Sequence, residues 1–326
     1  MRASRISWHT AWRWEDKVAL ARRGKITLPG LAVFSLQSYN RCVRNFATCV
    51  CFEGEFAMKG IVLAGGLGSR LHPLTKITNK HLLPVYNEPM VYFPIRTLVE
   101  AGITEILLVT GGQNAGDFLR LLGNGEAFGL RQLNYAYQVG EGGIADALRL
   151  AEPFADGSPI CVVLGDNIIE KGIASSVAQF RDQGEGAHIL LKKVSDPSRF
   201  GVPVFDKSRE NGRKHGRIVR IEEKPAKPAS PYAVIGIYFY DGSVFQRIKS
   251  LRPSKRGELE ITDLNNSYLA EGKLSYSILD GWWTDAGTFE SLLLATNLVA
   301  ESVANNTKKK QANKASRKGA RSLSPR

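Results

Sequence analysis

The segment Leu63-Ala64-Gly65-Gly66-Leu67-Gly68-Ser69-Arg70-Leu71 follows directly on the apolar run Lys59-Gly60-Ile61-Val62. Its three glycines let the backbone reach φ > 0 and approach a ligand closely. Successive N–H groups in such a loop form a nest for an anion, and the guanidinium of Arg70 adds a bidentate fork for phosphate. The chemistry is that of a polyphosphate cradle, set against the plainer reading of a glycine turn at a strand end. It is not the dinucleotide fingerprint, because Leu71 stands at the third glycine of GxGxxG. Nor is it a P-loop, which needs Gly-Lys-Ser/Thr.

Two carboxylates and several cations stand at comparable places. Asp166 closes the apolar run 160–164 in Gly165-Asp166-Asn167, and Asp285 lies in Trp283-Thr284-Asp285-Ala286-Gly287. Mg²⁺ is held by one or two carboxylates plus substrate phosphates, so both positions suit a metal ligand. Both equally suit an Asp capping the helix that follows. Lys80 sits beside Leu82-Leu83-Pro84, a poor place for a solvated ammonium. Glu222-Glu223-Lys224-Pro225 reads by itself as solvated charge pairing. Gln138 ends the run 132–137; its amide can both donate and accept, as reading a pyrimidine edge requires, but a polar residue at a strand end needs no such role. No Ser-His-Asp or Cys-His arrangement is apparent.

Alternating elements must position these groups. Strands are predicted at 59–64, 104–110, 132–137 and 159–164, with helices near 89–101, 114–122, 143–152 and 170–181 between them. Gly102 after Ala101 is a helix stop. The βαβα alternation predicts a mostly parallel sheet flanked by helices, with ligands at the carboxyl ends of its strands. The later part is richer in strands, at 187–194, 201–205, 217–222, 232–240 and 274–279, with helices near 242–249, 260–271 and 287–302. It reads as a second lobe on the same sheet.

A chain of 326 residues, 43% hydrophobic, can bury a substantial core. Its net charge of +13 suggests an acidic partner, but the charge lies in the ends. Residues 1–57 carry nine basic and four acidic side chains, and residues 303–326 carry eight basic and none acidic, which leaves 58–302 neutral. The C-terminal stretch lacks the aromatics that stack on bases, so nucleic acid is not the expected partner. Residues 1–57 show no sustained period and read as a poorly ordered leader or the product of an upstream start. The tail 303–326 has almost no large apolar residue and is expected to be disordered. Cys42, Cys49 and Cys51 lie in the leader and only Cys161 in the body. Without a disulfide framework or zinc spacing, this fits a reducing cytoplasm. No apolar run has membrane-spanning length.

Taken together, six segments in order resemble the sugar-1-phosphate nucleotidylyltransferases. They are the glycine loop, Lys80-His81-Leu82-Leu83-Pro84, Leu164-Gly165-Asp166-Asn167, Glu222-Glu223-Lys224-Pro225, Arg256-Gly257-Glu258-Leu259-Glu260-Ile261-Thr262-Asp263 and Trp283-Thr284-Asp285-Ala286-Gly287-Thr288. The resemblance runs from Met58 to about Ser302. It implies the Rossmann-like nucleotidyltransferase fold with a sugar-binding lobe, and Mg²⁺-dependent transfer of a thymidylyl group from dTTP to glucose-1-phosphate, giving dTDP-glucose and pyrophosphate. UTP or another sugar-1-phosphate is the first alternative, and a non-catalytic, nucleotide-sensing relative, which would be free to lose Arg70, Asp166 or Asp285, is the second. It also implies a homotetramer.

The resemblance further assigns roles. Arg70, Lys80, Asp166, Lys224 and Asp285 are the catalytic group, with Asp166 and Asp285 as the metal pair. The nucleotide falls to Leu63, Gly65, Gly66, Gly68, Ser69, Arg70, Lys80, His81, Gln138 and Gly143, with the base read by Gln138 and Gly143. The sugar phosphate falls to Gly201, Glu223, Lys224, Val234 and Arg256. Three departures stand out. Ser69 replaces a common Thr, His81 replaces a common Gln, and Asp146 replaces a frequent Gln and brings a negative charge near the site. An extra C-terminal helical segment of the longer family forms is also missing.

Overall fold

The computed structural model describes residues 58–206 and 216–322. The expectations for the leader 1–57 lie outside the described residues. Within them, the alternation read from the sequence gives β1 (Lys59–Ala64), β4 (Glu105–Gly111), β5 (Gln132–Gln138) and β6 (Ile160–Leu164). The two-residue strands β2 (Pro84–Val85) and β3 (Glu88–Pro89) pair only with each other, and the order of the four in the sheet is β6-β1-β4-β5, all parallel. The chain leaves β1 toward β4 on one side and returns to β6 on the other. Such a reversal opens a crevice at the carboxyl ends of the strands, where α/β folds bind ligands.

The second lobe extends the same sheet. β11 (Tyr232–Tyr240) pairs antiparallel with β6, and β8 (Ala187–Lys193), β9 (Gly201–Phe205), β10 (Ile218–Glu223) and β12 (Leu274–Ile278) complete nine strands. The short apolar runs of β1 and β6 are buried on both faces, as a central parallel strand requires. Alternation splits the core. Ile61 and Leu63 face one layer with helices α3 (Ile144–Arg149), α6 (Val244–Ser250) and α7 (Ile261–Ala270). Val62 and Ala64 face the other, with α1 (Tyr92–Glu100), α2 (Ala115–Leu122) and α5 (Ala174–Gln183).

Three features depart from the sequence reading. The helix expected over 143–152 is broken into α3 and α4 (Glu152–Ala155). Two three-residue strands, β7 (Asn167–Ile169) and β13 (Trp283–Asp285), pair antiparallel. They are too short for a periodic signal, and only their contact across more than a hundred residues makes them strands. The segment expected to be disordered from Val303 instead continues α8 (Phe289–Ser322). Ala295 and Val299 of that helix are buried against Val85, Met90, Ile168 and Ala286, whereas Val303 is exposed. The extension is rich in Ala, Lys and Arg, good helix formers, so it holds helical backbone without an apolar stripe. Among the described residues, no helix is long and apolar enough to cross a membrane.

Candidate active site

Strand register assembles the site. Leu63 pairs with Leu164 on one side and Val109 on the other, and Gly111 pairs with Gln138. The carboxyl ends of β1, β4, β5 and β6 therefore lie level. The glycine loop, Gln138 and Asp166 are brought together although they are far apart in sequence. Here they border a cavity of about 470 Å³. It is lined by fourteen of the seventeen sequence-predicted residues: Leu63, Gly65, Gly66, Arg70, Lys80, His81, Gln138, Gly143, Asp166, Gly201, Glu223, Lys224, Val234 and Asp285. Gly68, Ser69 and Arg256 are not among the lining residues.

The glycine loop needs its glycines. Gly68 adopts φ +65°, and a methyl there would lie 2.9 Å from Cβ of Lys80. A methyl on Gly65 would lie 2.8 Å from Oε1 of Gln138. Lys80 runs across this loop, its Nζ near Gly66, and ends 2.6 Å from Oδ2 of Asp166. Both side chains are 13% exposed. Burial works against the charge of Asp166. The Lys80 ammonium, with the Asn167 amide donating to Oδ1 at 3.0 Å, outweighs it and holds the carboxyl below the usual carboxylate range.

Asn167 is a partner that sequence reasoning missed. Its Oδ1 accepts from the Gly236 N–H at 2.9 Å and from Trp283 Nε1 at 2.8 Å. It thus ties Asp166 to β11 and β13. Its place beside Asp166 was visible, but its three-way role needs the tertiary fold.

The β7–β13 pair brings the second carboxylate in, with Asp285 opposite Asn167. The Ala286 N–H donates to the Asp166 carbonyl at 2.9 Å. A methyl on Gly287 would lie 3.1 Å from an Arg70 guanidinium nitrogen and 3.5 Å from Asp285 Oδ2. Arg70 therefore flanks Asp285. A second guanidinium, Arg199, lies 3.6 Å from the same oxygen and lines the cavity. Sequence reasoning missed Arg199, and a cation two residues before Gly201 was the available signal. Burial, then the charge of Asp166, push Asp285 up from its ordinary value, with Arg199 and Arg70 opposing. Two carboxylates that raise the cost of each other's ionisation, with hard oxygen donors, fit a divalent cation such as Mg²⁺. Among the described residues no cluster of three or more His, Cys, Asp or Glu is poised to hold a metal, and water and substrate oxygens would complete the coordination of a Mg²⁺ held by these two carboxylates.

His81 is buried, and its ring Nδ1 lies 2.8 Å from Asn79 Oδ1. That oxygen also accepts from the His81 N–H, while the Asn79 amide donates to the Ala64 carbonyl. Nδ1 is therefore the protonated nitrogen, and Nε2 is left as an acceptor. Burial lowers the imidazole to about 3, so it remains neutral where a Gln amide would have offered a donor as well.

On the second lobe, Lys224 adopts φ +43°, a strained conformation for a residue with Cβ, of the kind that clusters at functional sites. Its N–H donates to the Phe200 carbonyl at 3.0 Å. Glu223 Oε2 accepts from Thr262 Oγ1 at 2.6 Å, and Oε1 lies 3.5 Å from Lys224 and 3.6 Å from Arg256. Arg256 is held by Glu260 at 2.8 Å.

A site of two carboxylates, a glycine cradle and converging cations on a reversed parallel sheet defines a class of enzyme that handles nucleoside phosphates. A profile of the family described as nucleotidyl transferase matches residues 59–302, and the chain belongs to that family. A glucose-1-phosphate thymidylyltransferase of Actinoplanes sp. is 46% identical over 244 residues, covering 74% of this chain and 78% of that protein. One from Neisseria meningitidis is 45% identical over 245 residues, covering 74% and 82%. A crystal structure from Bacillus anthracis, assigned as a glucose-1-phosphate thymidylyltransferase in complex with a sucrose, is 51% identical with a TM-score of 0.69, covering 74% and 95%. An apo UDP-glucose pyrophosphorylase shares the fold alone, at 20% identity and a TM-score of 0.66 over 75% and 98%.

Proposed function

We propose that this chain transfers a thymidylyl group from dTTP to glucose-1-phosphate, releasing pyrophosphate and giving dTDP-glucose. The observation that carries the reading is one cavity in which the glycine loop, the Lys80–Asp166 pair and the Asp285–Arg70 pair meet. Two anions must be brought together, so positioning and charge neutralisation supply the catalysis and no protein nucleophile is required. The N–H groups of the loop and Arg70 hold the triphosphate, and Lys80 faces the α-phosphoryl and the leaving pyrophosphate. Lys224 and Arg256 hold the sugar phosphate, aiming its oxygen at the α-phosphorus, and Glu223 accepts from sugar hydroxyls. Gly201 and Val234 border the sugar, and Gln138 with Gly143 meets the base. Asp166 and Asp285 would hold Mg²⁺, which when bound neutralises phosphate charge and orients the reacting oxygens.

A substrate matrix tests this: each nucleoside triphosphate against several sugar-1-phosphates, with pyrophosphate release as readout and EDTA as control. Highest turnover with dTTP and glucose-1-phosphate, lost on chelation and restored by Mg²⁺, is expected. The same reading takes the enzyme to be a cytoplasmic homotetramer, which light scattering and cell fractionation check.

A further inference from the structure

Asp146 stands where the resemblance expects Gln, on the first turn of α3, and its two oxygens are differently engaged. Oδ1 accepts from Arg149, one turn on, at 2.9 Å. Oδ2 accepts from the side-chain amide nitrogen of Gln138 at 3.1 Å. The same nitrogen approaches the Gly143 carbonyl at 3.4 Å. Gln138 is 7% exposed, so its amide has few other partners to choose from. A carboxylate can only accept, and a backbone carbonyl can only accept. Both protons of the Gln138 NH₂ are therefore directed at α3 and its preceding loop. The other end of the amide, Oε1, is left over the first glycine of the cradle, 2.8 Å from where a Gly65 methyl would stand.

A Gln at position 146 would not impose this. A neutral amide can donate or accept, so the Gln138 side chain could rotate by half a turn and still find a partner. Asp146 removes that freedom, because the flipped amide would set Oε1 against a carboxylate. We infer that Asp146 is a positioning residue that locks the Gln138 amide with its oxygen toward the base, so that the site selects a pyrimidine carrying N3–H and rejects cytosine. Thymine and uracil carry a proton on N3 that Oε1 can accept. Cytosine carries a lone pair there, which Oε1 repels. Because the lock leaves only an acceptor, this discrimination does not extend to the thymine methyl, and uracil is not excluded by it. The inference rests on the reading that Gln138 meets the nucleotide base.

The test compares wild type, Asp146→Asn, Gln138→Ala and the double variant, each with dTTP and with dCTP at saturating glucose-1-phosphate. Asn is isosteric with Asp but able to donate, so it frees the amide without removing volume. The expected result is a fall of about tenfold or more in the dTTP-over-dCTP ratio of kcat/KM for Asp146→Asn. The fall comes from a raised KM for dTTP, with the KM for glucose-1-phosphate unchanged. In the Gln138→Ala background, Asp146→Asn has no further effect on the ratio, since the carboxylate acts only through that amide. Calorimetric binding of dTTP and dCTP to the same four proteins, without turnover, gives the same pattern in Kd. An unchanged ratio in Asp146→Asn, an equal loss on both nucleotides, or an effect that persists without Gln138 overturns the lock. A wild-type enzyme that turns over dTTP and dCTP equally also overturns it. A wild type that uses no nucleoside triphosphate would instead sink the function itself, so the two failures are distinguishable.

Discussion

Replacing Asn167 with alanine removes one acceptor and one donor from a buried junction. The side chain is 3% exposed. Its oxygen serves the Gly236 N–H and Trp283 Nε1–H at 2.9 and 2.8 Å, and its nitrogen serves Asp166 at 3.0 Å. Each buried donor left without a partner costs about 1–3 kcal/mol. Trp283 is partly exposed, so water relieves some of its loss, and the total is about 2–4 kcal/mol. For a domain of this size about 1 kcal/mol moves Tm by roughly 2–4 °C, so a fall of roughly 5–15 °C is expected. Activity should fall further than occupancy of the folded state explains, by about 10–100-fold, because Asp166 loses the group that orients it. Asn167→Asp separates the two effects: it keeps the acceptor for Gly236 and Trp283 but sets a like charge against Asp166. Differential scanning calorimetry and steady-state kinetics on both variants decide the matter. An Asn167→Ala protein with Tm within about 2 °C of wild type and full kcat would refute the junction.

Other expectations follow from the same geometry. Asp166→Asn and Asp285→Asn should each abolish most turnover at saturating Mg²⁺ while near-native circular dichroism is retained; near-normal rates in either would remove that residue from the metal pair. Arg70→Ala should lower kcat strongly, whereas Lys224→Ala should raise the KM for glucose-1-phosphate more than that for dTTP; equal effects of Lys224→Ala on both KM values would refute its sugar-phosphate role. Burial holds His188, between Ser275 and Ser277, down at about 4. Its folded value lies below the unfolded one near 6.5, so its stabilising contribution is complete above pH 6.5 and is lost as pH falls toward 4. Urea unfolding at pH 7 and pH 4.5 should show a loss of about 2–3 kcal/mol in wild type beyond that in His188→Gln, and parallel pH dependence of the two would exclude it. Removing residues 303–326 should leave kcat unchanged and Tm within about 2 °C, because among the described side chains the last buried one of α8 is Val299; a larger shift in either would mean that the helical extension contributes to the body.

The sequence alone determined the parallel core and the cradle. The four-strand alternation, the stop at Gly102 and the glycine loop after β1 are local signals. Period, punctuation and φ > 0 act within a few residues, and the elements they predict begin within four residues of their expected starts. Pairing of the carboxylates was not local. Asp166 and Asp285 each suited a helix cap as well as a ligand, and only the β7–β13 ladder, two three-residue strands without a period of their own, sets them at one place. Arg199 and Asn167 stayed hidden for the same reason. Their chemistry lies in contacts that join β7, β11 and β13, and no spacing in the chain encodes those. The helical course of 303–322 was missed because low apolar content was read as disorder, whereas helix propensity persists without a core. Asp146 shows the division most clearly. Its charge was legible as a departure from the family pattern, but its consequence depends on which amide atom it faces. That was decided by the register of β5 against β4 and by the first turn of α3, where a side chain that can only accept meets one that can be turned either way.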